Sequence, residues 1–135
     1  MTKPDQFEFK LDLASGVPVY RQIIDQVLRA VATGALVGGV QLPTVRQASV
    51  DLAINPNTVL RAYRELELRG AITTQQGIGT FVTLKQVELN QAEREARLDR
   101  LAADCAARAG AEGFSVPELM ARLGELLPVE DPRRD

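Results

Sequence analysis

The 135-residue chain contains no histidine. Ser-His-Asp and Cys-His catalysis are thereby excluded, together with the common zinc sites, which draw on imidazole. A single cysteine, Cys105, leaves no disulfide to form within the chain, in keeping with a reducing, cytoplasmic setting. Cys105 stands among alanines in a helical pattern, where a small thiol serves as core or interface filler. No apolar run approaches the roughly 20 residues of a membrane helix, because charges interrupt the longest helical pattern. The opening MTKPDQFEFK lacks the apolar core of a secretory signal. Without a cysteine pair or clustered carboxylates, no acid-base pair or metal site can be assembled, so neither an enzyme nor a cofactor is expected.

What remains is an ordinary globular composition, 45% hydrophobic and 25% charged, long enough for one full domain and a short appendage. The formal net charge of −2 is unevenly spread. Residues 1–85 carry nine basic against seven acidic side chains, and residues 86–135 carry seven against eleven. A weakly basic domain followed by an acidic one is the implied layout.

Phe7, Phe9, Leu11 and Leu13 alternate with polar residues, which predicts a short strand. From Pro18, at a first-turn position, Tyr20, Ile23, Ile24, Val27, Leu28 and Val31 recur at helical spacing up to a stop at Gly34. A second helix begins at Thr44, which can cap while Gln47 reaches back from N3, and ends near Leu52. Ala53-Ile54 make a tight connection. Asn55 caps a third helix with Pro56 at N1, running to about Arg69 with Gly70 as the left-handed exit. Two short β-prone runs, Ile72–Gln75 and Thr80–Val82, flank the loop Gln76-Gly77-Ile78-Gly79 and read as a hairpin. Asn90 with Glu93 opens a helix through about Ala109, closed by Gly110. Ser115 with Glu118 opens the last one, with Phe114 and Leu119 as a hydrophobic staple and Pro128 beyond its end.

Two helices with a short connection, the second followed directly by a hairpin, is the order of a winged helix-turn-helix. In the third helix Val59, Ala62, Tyr63 and Leu66 form the apolar face. Asn57, Arg61, Arg64 and Leu68 lie opposite, with Thr58 and Glu65 toward one flank. Asn57, Thr58 and Arg61 thus cluster at the end that enters the major groove in such proteins. Asn can bond both edges of adenine, Arg can fork onto guanine, and Thr can reach a base edge, the thymine methyl or a phosphate. Asn57 or Arg64 alone is better explained as a solvated surface; the order of elements carries the argument. Gly77 and Gly79 permit positive φ in the hairpin loop. They would also let its backbone approach a phosphate or the minor-groove wall, with Gln75 and Gln76 as uncharged donors.

The stretches VPVYRQIIDQVLRAVATGAL, LPTVRQ and INPNTVLRAYRELELRGAITTQQGIGTFV together resemble the winged-helix domain of the GntR family. Asn-Pro-Asn-Thr-Val followed by Arg-Ala-Tyr is similar to its YtrA subfamily in particular. The resemblance implies that Thr44 and Arg46 contact DNA, that Asn57, Thr58 and Arg61 open the recognition helix, and that Gly77 is the wing tip. Tyr20 matches the tyrosine of a Pro-x-Tyr motif, with a phosphate contact and core packing both open to it. Three departures stand out: Gly38-Gly39-Val40 for Pro-Gly-Asp, Ala48-Ser49 for Leu-Ala, and Ala53 for a turn glycine. None lies on the reading face.

About 50 residues follow the wing, fewer than the 100 or more that a ligand-binding domain with its own core needs. Their apolar stripes, Leu98, Leu101, Cys105 and Ala109 on one helix and Val116, Leu119, Leu123, Leu126 and Leu127 on the other, are narrow. A second subunit would bury them better than packing back on the same chain, and the resemblance implies a homodimer. The expected architecture is therefore mainly α. Residues 7–84 form a winged helix-turn-helix of three helices and a β-hairpin wing, 86–128 a short C-terminal helical dimerisation segment, and 129–135 a disordered tail. The function implied is a repressor binding an inverted-repeat operator in double-stranded DNA, with no membrane partner and any small-molecule effector unknown. A winged helix used as a protein-interaction module is the alternative.

Overall fold

A computed structural model describes residues 7–84 and 90–128. The chain divides into two compact units, Met1–Lys85 and Gln86–Asp135. The tail at 129–135, expected to be disordered, lies outside the described residues.

In the first unit α1 (Val19–Thr33) buries Ile23, Ile24, Val27 and Ala30 along one stripe, as its 3.6-residue period dictates. Pro18 stands one position earlier than expected, as the N-cap with φ −55°, and Gly34 closes the helix at φ 83°. Next come β1 (Gln41–Leu42), α2 (Val45–Leu52), α3 (Pro56–Leu68), β2 (Ile72–Gln75) and β3 (Gly79–Val82). The strands form an antiparallel sheet in the order β1-β3-β2, with Leu42 opposite Thr80 and Ile72 opposite Val82. Strand β1 was not expected, because two residues show no period. Its pairing is extended by Gly39, whose N–H donates to the Val82 carbonyl, and by Val82, whose N–H donates to the Val40 carbonyl. Ile23, Val27, Leu42, Val59, Leu66 and Ile72, drawn from α1, α3 and the sheet, are fully buried in one core. Full burial stabilises each such side chain by about 1.5–3 kcal/mol.

The predicted strand at 7–13 does not form. The segment is extended, but its partner is a helix rather than a sheet. The Gln26 amide accepts from the Lys10 N–H at 2.9 Å and donates to the Lys10 carbonyl at 2.6 Å. One turn earlier on α1, the Gln22 amide does the same for Asp12 at 2.8 and 2.9 Å. Residues two apart in an extended chain and four apart on a helix are both separated by about 6–7 Å, so two side-chain amides match the backbone repeat. The alternation still turns Phe7, Phe9 and Leu11 toward the core, with Phe9 buried against Phe7 and Tyr63, whereas Leu13 is 80% exposed in a turn.

The second unit contains α4 (Gln91–Ala111) and α5 (Val116–Glu125). Asn90 caps α4 by accepting the Glu93 N–H, and Ser115 caps α5 by accepting that of Glu118. Helix α4 runs through Gly110 instead of ending there. The left-handed exit is Gly113, at φ 87°, after which the Phe114 N–H folds back to the Ala109 carbonyl at 2.8 Å. Glycine can occupy a helical φ as well as a left-handed one, so the residue type alone did not locate the end. Ala109 is the only buried residue among those described in this unit. No helix among the described residues is long and apolar enough to cross a membrane.

Ala53, the C-cap of α2, sits at φ 54° and ψ 46°, the one non-glycine residue with positive φ among those described. An L-residue pays about 1–2 kcal/mol there, while glycine adds unfolded-chain entropy of about 0.4–1 kcal/mol. Ala53→Gly is therefore expected to stabilise the chain by about 0.5–1 kcal/mol, read as a raised urea midpoint. A lowered midpoint would contradict the strain.

Candidate nucleic-acid interface

Helices α2 and α3 are held at their starts by local chemistry. Thr44 accepts the Gln47 N–H while Gln47 accepts the Thr44 N–H, both at 3.0 Å, completing the capping box. Asn55 accepts the Asn57 N–H at 2.8 Å, with Pro56 in the first turn. These bonds satisfy orphan donors and set the exit directions of the adjoining side chains. Arg46 emerges exposed from the first turn of α2, and Asn57, Arg61 and Arg64 are exposed along α3. Thr44 and Thr58 are half-buried. The Thr44 oxygen is engaged as a cap, but its O–H remains a donor. No carboxylate among the described residues pairs with Arg46, Arg61 or Arg64.

The opposite side of α3 buries Val59, Ala62, Tyr63 and Leu66. Tyr63 does more than fill space: its hydroxyl donates to the Pro43 carbonyl at 2.6 Å in a buried setting. This bond ties the middle of α3 to the residue before the α2 cap. Burial raises the Tyr63 phenol well above the ordinary tyrosine value, because the phenolate would lose its hydration. The bond escaped the sequence reading, in which Tyr63 was an apolar-face residue. A hydroxyl on a buried stripe was the available signal, since such groups need a partner.

The wing loop, Gln76 to Ile78, joins β2 to β3. Gly77 has φ 76°, and Ile78 is 67% exposed between two glycines. Gly79 combines φ 149° with a close approach: a Cβ there would meet Gln41 Nε2 at 2.5 Å. Gln41 Nε2 donates to the Ile78 carbonyl at 3.4 Å, bracing the loop from β1. Gln41 was missed because its role depends on the unexpected strand. Residues 41–46 thus form a spine that braces the wing at Gln41, anchors α3 at Pro43 and presents Thr44 and Arg46. Tyr20, half-buried on α1, carries the Arg61 guanidinium over its ring, with Cζ 3.8 Å from the centroid.

Three helices, a tight α2–α3 connection and a braced hairpin behind the second helix of the pair define a winged helix-turn-helix of the kind found in gene regulators. Residues 19–82 match the family of bacterial regulatory proteins known as the gntR family. The chain belongs to the GntR family. It is similar to the HTH-type transcriptional repressor YtrA of Bacillus subtilis, 40% identical over 74 residues. That match takes in 55% of this chain and 57% of YtrA, so it covers little more than half of that relative. Among solved structures, YtrA from Sulfolobus acidocaldarius, a GntR-family transcription factor, superposes with a TM-score of 0.53 at 30% identity, covering 87% of this chain and 94% of that one. A transcriptional regulator from Oenococcus oeni gives 0.55 at 34% identity, covering 87% and 98%.

Tyr63→Phe is expected to cost about 1–3 kcal/mol, because it leaves the Pro43 carbonyl buried without a donor. With its pKa raised by folding, Tyr63 contributes stability that is complete below the unfolded value of about 10 and falls away as pH rises past it. The wild-type urea midpoint should therefore fall above about pH 10, and Tyr63→Phe should flatten that decline. An equal decline in both chains would assign it to other groups.

Proposed function

We propose that the chain is a sequence-specific DNA-binding transcriptional repressor that binds an inverted-repeat operator as a homodimer. One observation carries the reading: Asn57, Arg61 and Arg64 stand exposed along α3 from its first turn, and the nearby arginines have no described carboxylate to neutralise them. On this reading α3 enters the major groove, where Asn57 and Arg61 meet base edges and Thr58 and Arg64 meet bases or the flanking backbone. Thr44 and Arg46 contact phosphates from α2, and Gln76 and Gly77 bring the wing to the backbone or minor groove.

Residues 86–128 serve as the dimerisation segment. Leu98, Leu101, Leu123 and Leu126 are 63%, 59%, 52% and 47% exposed, an apolar surface that a second copy would cover. A two-fold dimer presents two recognition helices to half-sites about one helical turn, or a multiple of it, apart. The name of the Bacillus subtilis relative supports repression as the outcome.

Arg61→Ala is expected to weaken binding to a duplex selected from a random pool by about 1–3 kcal/mol, with little effect on scrambled DNA. Equal losses on both would make Arg61 a phosphate contact. Arg46→Ala should reduce the slope of log K against log salt by about one unit, and an unchanged slope would remove its phosphate role. Failure to retard any duplex would favour a protein-interaction module.

For the dimer, light scattering of the full chain at micromolar concentration should return twice the chain mass of 14.7 kDa. Leu101→Glu with Leu123→Glu should return the single mass, and a wild-type monomer would overturn the assignment.

A further inference from the structure

We propose that Tyr20 is a positioning residue for base recognition, holding the Arg61 guanidinium flat so that its in-plane donors face the DNA groove. The inference rests on the DNA-binding reading of α3. Arg61 lies on the exposed face of that helix, yet its guanidinium carbon sits 3.8 Å from the centre of a ring on α1. The guanidinium carbon lies over the ring at a separation that suits stacking of the two planes. Stacking uses the π face of the guanidinium and leaves all five N–H groups, which lie in its plane, free for a guanine edge. A long exposed arginine would otherwise lose its rotamer freedom when it binds. A ring anchored in α1 removes part of that loss beforehand.

Tyr20 is itself fixed. It is half-buried and packs against the core, on the helix that lies along α3. Its hydroxyl is not needed for stacking, which separates this role from a phosphate contact through that oxygen. The role also differs from plain core packing, because it acts only through Arg61.

The test uses the full chain with a duplex selected by the wild type from a random pool, and a scrambled duplex as reference. Tyr20→Phe keeps the ring and should retain wild-type discrimination. Tyr20→Leu should lower the preference for the selected duplex by about fivefold, the ratio expected of an exposed cation–π pair. In an Arg61→Ala background the same change should cost nothing further. The Arg61 δ-methylene protons should show a ring-current upfield shift in the free wild-type and Tyr20→Phe chains and lose it in Tyr20→Leu. If Tyr20→Leu does not fold, Arg61→Lys replaces it: the charge remains but the planar stack is lost, and discrimination should fall at least fivefold.

Equal loss of Tyr20→Leu binding with and without Arg61 would overturn the proposal, as would tighter binding by that variant. A loss in Tyr20→Phe would assign the work to the hydroxyl, and retained discrimination in Arg61→Lys would remove the stack from recognition. A wild-type chain that prefers no duplex would overturn the DNA-binding reading itself, an outcome distinct from all of these.

Discussion

The arrangement of α2, α3 and the wing depends on one buried hydrogen bond, from the Tyr63 hydroxyl to the Pro43 carbonyl. Pro43 lies between β1 and the α2 cap, so this contact sets where the wing's brace ends and where α2 begins relative to α3. Gln41 upstream supports the wing loop, and Thr44 downstream caps α2. A buried carbonyl without a donor is costly, and apolar packing around it is directionless. The bond therefore supplies the direction that Val59, Ala62 and Leu66 cannot. The phenol must stay protonated to make it, and burial holds it so.

A comparable economy operates at the N-terminal segment. Gln22 and Gln26, polar residues on the stripe side of α1, give an extended chain the donors and acceptors that a neighbouring strand would have provided. Phe9 then closes the core over Tyr63. Gln22 is buried because it is saturated: its amide also donates to the Val17 carbonyl at 2.8 Å. The helix that carries Tyr20 is thus packed on α3 and hydrogen-bonded to Lys10 and Asp12.

The second unit obeys the opposite logic. Its caps are well formed, yet Leu98, Leu101, Leu123, Leu126 and Leu127 are exposed. Capping needs only groups within one turn, whereas burial needs an opposing surface, and a unit of only two helices offers little of it. Such a unit has secondary structure by local preference and an unsatisfied apolar face by geometry. This is the physical ground for reading it as an assembly element.

The sequence by itself determined the helices α1 to α5, the caps that open α2 to α5, and the hairpin after α3. Thr44 with Gln47, Asn55 with Pro56, and Gly70 after α3 act within a few residues, and the 3.6-residue period of Val59, Ala62, Tyr63 and Leu66 names the buried face without reference to the rest. The exposed positions of Asn57, Arg61 and Arg64 followed from the same periodicity, whereas Arg46 on α2 was marked only by the family resemblance. Only the tertiary structure decided that Lys10 and Asp12 pair with glutamine side chains, that Gln41–Leu42 is a strand, that Tyr63 reaches Pro43 and that Tyr20 lies beneath Arg61. Each of these joins residues at least ten positions apart. Local propensity and periodicity carry no information about such pairs, because which groups meet is set by how the elements pack.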